Sequence, residues 1–141
     1  MIDSGTRPTA LADTNIFVAL LAGPTHALHD RSRELFRRVA DGRLTLIVTP
    51  VILAELVYAC RTVLGWSRPV TAERLATLLR ADGLAVREQA TLTSALHLFG
   101  RHRRLDLPDA YIAATALVAG PPLVASFDRD FDLIDGVVRV G

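Results

Sequence analysis

Apolar residues in this chain fall into two rhythms: short unbroken runs, and longer stretches in which they recur every third or fourth position. The first rhythm predicts strands and the second predicts amphipathic helices. Thr9 to Ala12, bounded by Pro8 and Asp13, reads as a first strand. A helix follows at once, capped by Asp13 or Thr14, with Ile16, Phe17, Leu20 and Leu21 as its apolar stripe and Gly23-Pro24 as its stop. A second helix is expected from Thr25 or His26 to about Asp41, with Leu28, Leu35, Phe36 and Val39 inward. Leu44 to Thr49 is a β-rich run. Thr49-Pro50 then opens a third helix reaching about Leu64.

Gly65 to Pro69 reads as a loop, and Thr71 as the cap of a fourth helix with Glu73 in its first turn, ending at Asp82-Gly83. Leu84 to Arg87 is a short strand, Glu88 to about Arg101 a fifth helix, and Asp106 to Ala119 a sixth, stopped by Gly120-Pro121-Pro122. Leu123 to Phe127 reads as a buried strand and Val137 to Val140 as the last one. Strands separated by helices predict an α/β fold with a mostly parallel sheet. With 141 residues and no repeat, low-complexity tract or linker, one domain over 1–141 is expected. In open parallel sheets, sites form at the carboxyl ends of strands, where Asp13 and Asp128 stand.

Composition narrows the class. Half of the residues are hydrophobic, yet no apolar run approaches the ~20 residues of a membrane span. Met1 to Pro8 is polar and short, unlike a signal peptide. The single cysteine, Cys60, has no internal disulfide partner and reads as a core residue in a reducing cytoplasm. Net charge is +1, so the chain is no bulk polycation. It contains no lysine, which excludes a Walker-A phosphate loop, Schiff-base chemistry and the receiver-type aspartyl phosphorylation site.

Four carboxylates then stand out, each beside an apolar strand or on an apolar helix side: Asp13 in L-A-D-T-N-I, Glu55 in T-P-V-I-L-A-E, Asp109 in L-P-D-A-Y-I-A-A and Asp128 in S-F-D-R-D-F. A like-charge pair about 4 Å apart costs roughly 4 kcal/mol at an effective dielectric near 20, and a divalent cation would remove that penalty. Asp13 also serves as a helix cap, and Asn15 as a second cap or as an amide orienting it. Glu55 shares its helix face with Val51, Ile52, Tyr58 and Ala59, an apolar setting that suggests burial without a cation beside it. Asp106 suits the cap of the sixth helix, with Asp109 at its third position. Asp128 comes first after its strand, and Asp130 supports it.

Other polar groups are weaker candidates. His26 and His29 lack a third zinc ligand, and His97 and His102 fit the surface of the fifth helix. Arg101, Arg103 and Arg104 adjoin Asp106, so this run is a solvated loop or a set of phosphate contacts. Trp66 could stack a base or close an apolar edge.

The four motifs, in this order and spanning nearly the whole chain, resemble the PIN-domain family, and in particular the VapC-type toxins of bacterial toxin–antitoxin pairs. The resemblance implies a three-layer α/β/α sandwich and an endoribonuclease dependent on Mg2+ or Mn2+. It implies Asp13, Glu55, Asp109 and Asp128 as the acidic site, with Asn15, Ser126 and Asp130 as neighbours. It also implies a homodimer and a small antitoxin partner.

The chemistry of the residues agrees with that reading. Oxygen-only ligands favour hard cations over zinc, and a metal-activated water is the expected nucleophile on an RNA phosphodiester. Three other readings compete: a housekeeping RNA-processing nuclease of the same fold, a non-catalytic RNA- or protein-binding module, and a metal-dependent phosphatase. The last usually needs D-x-D-x-T, which D-T-N does not supply. The helices at Ala27 to Val39 and Val51 to Leu64 also carry more apolar residues than one small core obviously needs, among them Phe36, Leu53, Leu56, Val57 and Tyr58. Part of that surface is expected to be covered by a second copy or by an antitoxin segment.

Overall fold

The computed structural model describes residues 7–141, so most of the polar stretch Met1 to Pro8 lies outside the described residues. In chain order the elements are β1 (Thr9–Leu11), α1 (Thr14–Ala22), α2 (His29–Ala40), β2 (Thr45–Val48), α3 (Pro50–Thr62), α4 (Arg68–Leu78), β3 (Leu84–Val86), α5 (Gln89–Arg101), α6 (Leu107–Val118), β4 (Leu123–Ala125) and β5 (Val138–Val140). A 3-10 turn at Arg129–Leu133 lies between β4 and β5. The described chain forms two compact units: one runs through Trp66 and adds Thr77–Arg87, and the other comprises Ser67–Ala76 and Glu88–Gly141.

In the first unit β1, β2 and β3 pair in that order, all parallel, with Thr9 opposite Thr45 and Leu46 opposite Leu84. Parallel neighbours need crossovers, which the intervening helices provide. The core gathers Phe17, Ala19, Val39, Leu46, Val48, Leu53, Leu56, Val57 and Cys60. Fully burying such a leucine or phenylalanine stabilises the fold by about 1.5–3 kcal/mol. The rings of Phe17 and Phe36 meet at 5.2 Å and a 52° tilt, joining α1 to α2. Cys60 is wholly buried, and burial pushes its thiol up to about 11, which suits a core residue.

Helix α2 starts later than its sequence suggests, because residues 24–28 are taken up by turns. The His26 N–H donates to Gly23 O, Leu28 N–H donates to His26 Nδ1, and His29 N–H donates to His26 O. His29 is buried with Nδ1 2.9 Å from Ala19 O, and the Ser32 hydroxyl donates to Ile16 O. The α1–α2 contact is thus partly polar, and Leu28, expected inward, is 44% exposed. The expected surplus of apolar surface is also narrower than the sequence suggests. Leu53, Leu56 and Val57 are buried within the core, while Val51 and Tyr58 of α3 remain exposed.

In the second unit β4 and β5 pair in parallel, with Leu123 opposite Val138. Helices α5 and α6 pack closely, Leu92, Ala95, Leu96 and Phe99 on one and Leu107, Ala110, Ala113 and Ala114 on the other being buried. The alanines of α6 keep its inner face thin. Helix α4 begins at Arg68 rather than at Thr71. Ser67 supplies the cap, its Oγ accepting from Val70 N–H at 3.3 Å, while Thr71 is buried and donates its hydroxyl to Ser67 O. The strand read as buried from Leu123 to Phe127 is shorter, and within it only Val124 is buried. Alternation along the strand turns Leu123 and Ala125 outward. Arg139 on β5 anchors the segment after β4, pairing with Asp132 at 3.0 Å and donating to the carbonyls of Ser126 and Gly141. All described strand pairs are parallel, in keeping with the expected α/β class. Among the described residues no helix is long and apolar enough to cross a membrane.

Candidate active site

Asp13 follows β1 and caps α1, its Oδ1 accepting the Thr14 N–H at 2.8 Å. A short acceptor side chain directly after a strand suits this position. The Thr14 hydroxyl in turn donates to Glu55 Oε2 at 2.7 Å, which ties the first turn of α1 to the middle of α3. Asp13, Thr14 and Glu55 therefore form one polar group in the first unit. From sequence Thr14 reads only as a cap; a hydroxyl directly after the capping aspartate is the signal for a further role. Asn15 is exposed and lines a cavity of about 240 Å³ with Ile16, Ala19, Leu28, Arg31, Ser32 and Leu35.

Glu55 is not buried, contrary to its apolar surroundings in sequence. The buried stripe of α3 is Leu53, Leu56, Val57 and Cys60, and Val51 and Tyr58, which share the face of Glu55, are themselves exposed. Asp13 and Asp128 are exposed as well. Of the four acids only Asp109 is partly buried.

The second unit holds the other acids. Asp106 caps α6, accepting the Asp109 N–H at 2.9 Å, with Pro108 in the first turn. Ser126 Oγ accepts the Asp128 N–H at 3.0 Å, and Asp128 Oδ1 accepts the Asp130 N–H at 2.9 Å. The acids after β4 are thus fixed by a chain of local turns and not strung along a solvated loop. Asp109 feels all of them. Its carboxyl is pushed up to about 6, first by burial, then by the charge of Asp106 and a hydrogen bond with it, then by the charges of Asp128 and Asp130. Asp106, Asp109, Asp128 and Asp130 are therefore one electrostatic cluster.

A basic groove adjoins this cluster. Arg101, His102, Arg103, Arg104, Leu105, Asp130 and Leu133 line a cavity of about 280 Å³. Arg104 reaches Asp130 at 3.5 Å, which links the groove to the acids. Arg68, to which no sequence pattern points, shapes this segment. Its Nε donates to Phe99 O at 3.1 Å and its Nη2 to the carbonyls of His102 and Leu105, while its guanidinium lies 3.8 Å above the Phe99 ring.

The donor chemistry of the acidic cluster fits a hard divalent cation. Its members are all carboxylates, and their mutual repulsion contributes to raising Asp109. The geometry is not preassembled: among the described residues no three His, Cys, Asp or Glu side chains are already placed to hold a metal ion.

Residues 10–137, which contain every one of these acids, match the PIN domain family. The chain belongs to that family. Among curated proteins it is similar to Ribonuclease VapC5 of Mycobacterium tuberculosis (strain ATCC 25618 / H37Rv), 32% identical over 97% of this chain and 96% of that protein. It is also similar to Ribonuclease VapC7 of the same strain, 28% identical over 91% of this chain and 88% of that protein. No solved structure gives a significant match. Membership in the PIN family agrees with the resemblance drawn from the four acidic motifs and with the α/β class.

Proposed function

We propose that this PIN-domain protein is an endoribonuclease of the VapC type, the toxin of a toxin–antitoxin pair. The observation that carries the reading is the turn-braced group of Asp106, Asp109, Asp128 and Asp130: Asp106 accepts the Asp109 N–H, Asp128 accepts the Asp130 N–H, and burial together with the charges of the other three pushes the Asp109 carboxyl up, a penalty that a cation would relieve. Likeness to two proteins named as VapC ribonucleases over nearly the full chain supports the substrate class. Residues 1–141 act as one PIN domain in this reading.

Asp109 and Asp128 would hold Mg2+ or Mn2+, and Asp13 is the third proposed ligand. Such a cation supplies charge neutralisation at the scissile phosphate and a water of lowered pKa. The protein's own groups do the remaining work. Asp106 holds the first turn of α6, and with it the backbone that carries Asp109. Ser126 and Asp130 fix the turn that presents Asp128. Thr14 holds one oxygen of Glu55, leaving the other to accept a proton from water. Arg101, Arg103 and Arg104 receive phosphates of the RNA backbone. A homodimer and a small antitoxin complete the proposal.

Incubating the purified protein with total RNA, with and without magnesium, tests it. Cleavage with defined ends should require the metal and should be lost in Asp13→Asn and Asp109→Asn. Expression of the wild type alone should arrest growth, and co-expression of an adjacent small gene should relieve the arrest. RNA left intact at high protein and magnesium would overturn the assignment.

A further inference from the structure

Phe127 is 93% exposed, the most exposed of the large hydrophobic residues described. An unpartnered aromatic ring on a surface needs a reason, because burying it would gain about 1.5–3 kcal/mol. Its position is also fixed. Ser126 and Asp128 on either side of it are joined by the hydrogen bond from Asp128 N–H to Ser126 Oγ, and the Ser126 carbonyl accepts from Arg139. The exposed ring thus projects from a turn whose backbone is braced.

Its surroundings point to an occupant. Asp128, the next residue, belongs to the acidic cluster. Asp130 lines the groove of Arg101, Arg103 and Arg104. Asp130 stands three positions after Phe127, so their Cα atoms are at most about 11 Å apart even with the chain fully extended. An exposed aromatic ring on the segment that leads into a cationic groove is the pairing that single-stranded nucleic acid uses, bases on the ring and phosphates on the cations.

We infer that Phe127 is a base-stacking platform, which holds an unpaired nucleobase of the RNA beside the acidic cluster while the arginine groove takes the neighbouring phosphates. The inference rests on the ribonuclease reading and adds a residue that selects single-stranded substrate. Trp66, read from the sequence as able to stack a base or to close an apolar edge, is half-buried, and its carbonyl accepts from Arg61.

The test is binding of a short unstructured RNA carrying one 2-aminopurine to the full-length protein without divalent ions, so that nothing is cut. Stacking on Phe127 should quench the probe. Phe127→Ala should lose the quench and weaken binding by about 5- to 150-fold, the range of one base–aromatic stack. Phe127→Trp should keep both, Phe127→Leu should behave like the alanine variant, and a duplex of the same sequence should bind all four proteins alike. Since the ring packs on little, circular dichroism should show all variants folded. Wild-type affinity in Phe127→Ala would overturn the inference. So would a leucine variant as good as wild type, or a loss of self-association in Phe127→Ala without a change in RNA affinity. A wild type that cleaves total RNA in magnesium while Phe127→Ala binds normally would sink the platform alone. A wild type that neither binds nor cleaves RNA would sink the ribonuclease reading and the platform with it.

Discussion

Thr14 and Glu55, 41 residues apart in sequence, are joined by a 2.7 Å hydrogen bond from the threonine hydroxyl to one carboxylate oxygen. The bond fixes the rotamer of an exposed glutamate that packing on α3 does not restrain. Thr14→Val keeps the side-chain shape and removes the donor. We expect a loss of about 0.5–1.5 kcal/mol in urea unfolding, the worth of one such bond. RNA cleavage should fall further than RNA affinity does, and Thr14→Ser should restore it. Equal cleavage rates in wild type and Thr14→Val would remove this bond from the reaction.

Asp109 carries a pH dependence whose sign follows from its neighbours. Its carboxyl titrates near 6 in the folded protein, against 3.8 as the ordinary value. Between those values the folded state binds the proton more tightly than the unfolded state, so metal-free protein should gain stability as pH falls from about 7 to about 4. Above 6 the penalty is fully present. Asp109→Asn should remove this part of the dependence and raise metal-free stability near pH 7 by about 1–2 kcal/mol, allowing for solvent screening. Magnesium at pH 7.5 should stabilise the wild type and leave the asparagine variant nearly unmoved. Matching melting curves for the two proteins across pH, with and without magnesium, would show that the cluster neither strains the fold nor binds the metal.

The features legible in the sequence are those set by neighbours along the chain. Asp13 and Asp106 occupy the cap positions that their spacing from strand and proline suggests, and both accept backbone N–H groups there. The order of strands and helices follows from the apolar rhythm, because each unit buries one face of its helices. The rest depends on partners that no local pattern reveals. Glu55 reads as buried because Val51 and Tyr58 are apolar, yet apolarity does not decide which side of a helix meets the core. The start of α2 departs from its expected position because His26 acts as a turn acceptor, a role without a periodic signature. Arg68 gives no signal at all, since its carbonyl partners lie 31 to 37 residues away.

The arginine groove should show itself in salt dependence. If Arg101, Arg103 and Arg104 neutralise RNA phosphates, replacing all three by glutamine should reduce the slope of log affinity against log salt by about 0.7 for each phosphate no longer neutralised. The Phe127 variants should leave that slope alone, since stacking releases no counterions from phosphates. An unchanged slope in the triple variant would return the run to a solvated loop.

Arg68 offers a sharper separation of stability from binding. Its guanidinium donates to three carbonyls around the end of α5 and lies on the Phe99 ring, so one side chain gathers the segment that presents the arginine groove. Hydrogen bonds from a charged donor are worth about 1.5–3 kcal/mol each, and carbonyls left without a donor add a desolvation cost. Arg68→Ala should therefore cost about 2–4 kcal/mol, within the range of a broken buried network. Arg68→Lys should recover only part of this, because an ammonium cannot serve three carbonyls from one plane and lies poorly on a ring. The midpoint of urea unfolding should fall with its slope unchanged. At temperatures where the variant stays folded, RNA affinity should also drop, because Arg101 to Arg104 lose their fixed backbone. If Arg68→Ala lowers stability yet binds RNA with wild-type affinity and salt slope, the clamp supports the fold without shaping the groove.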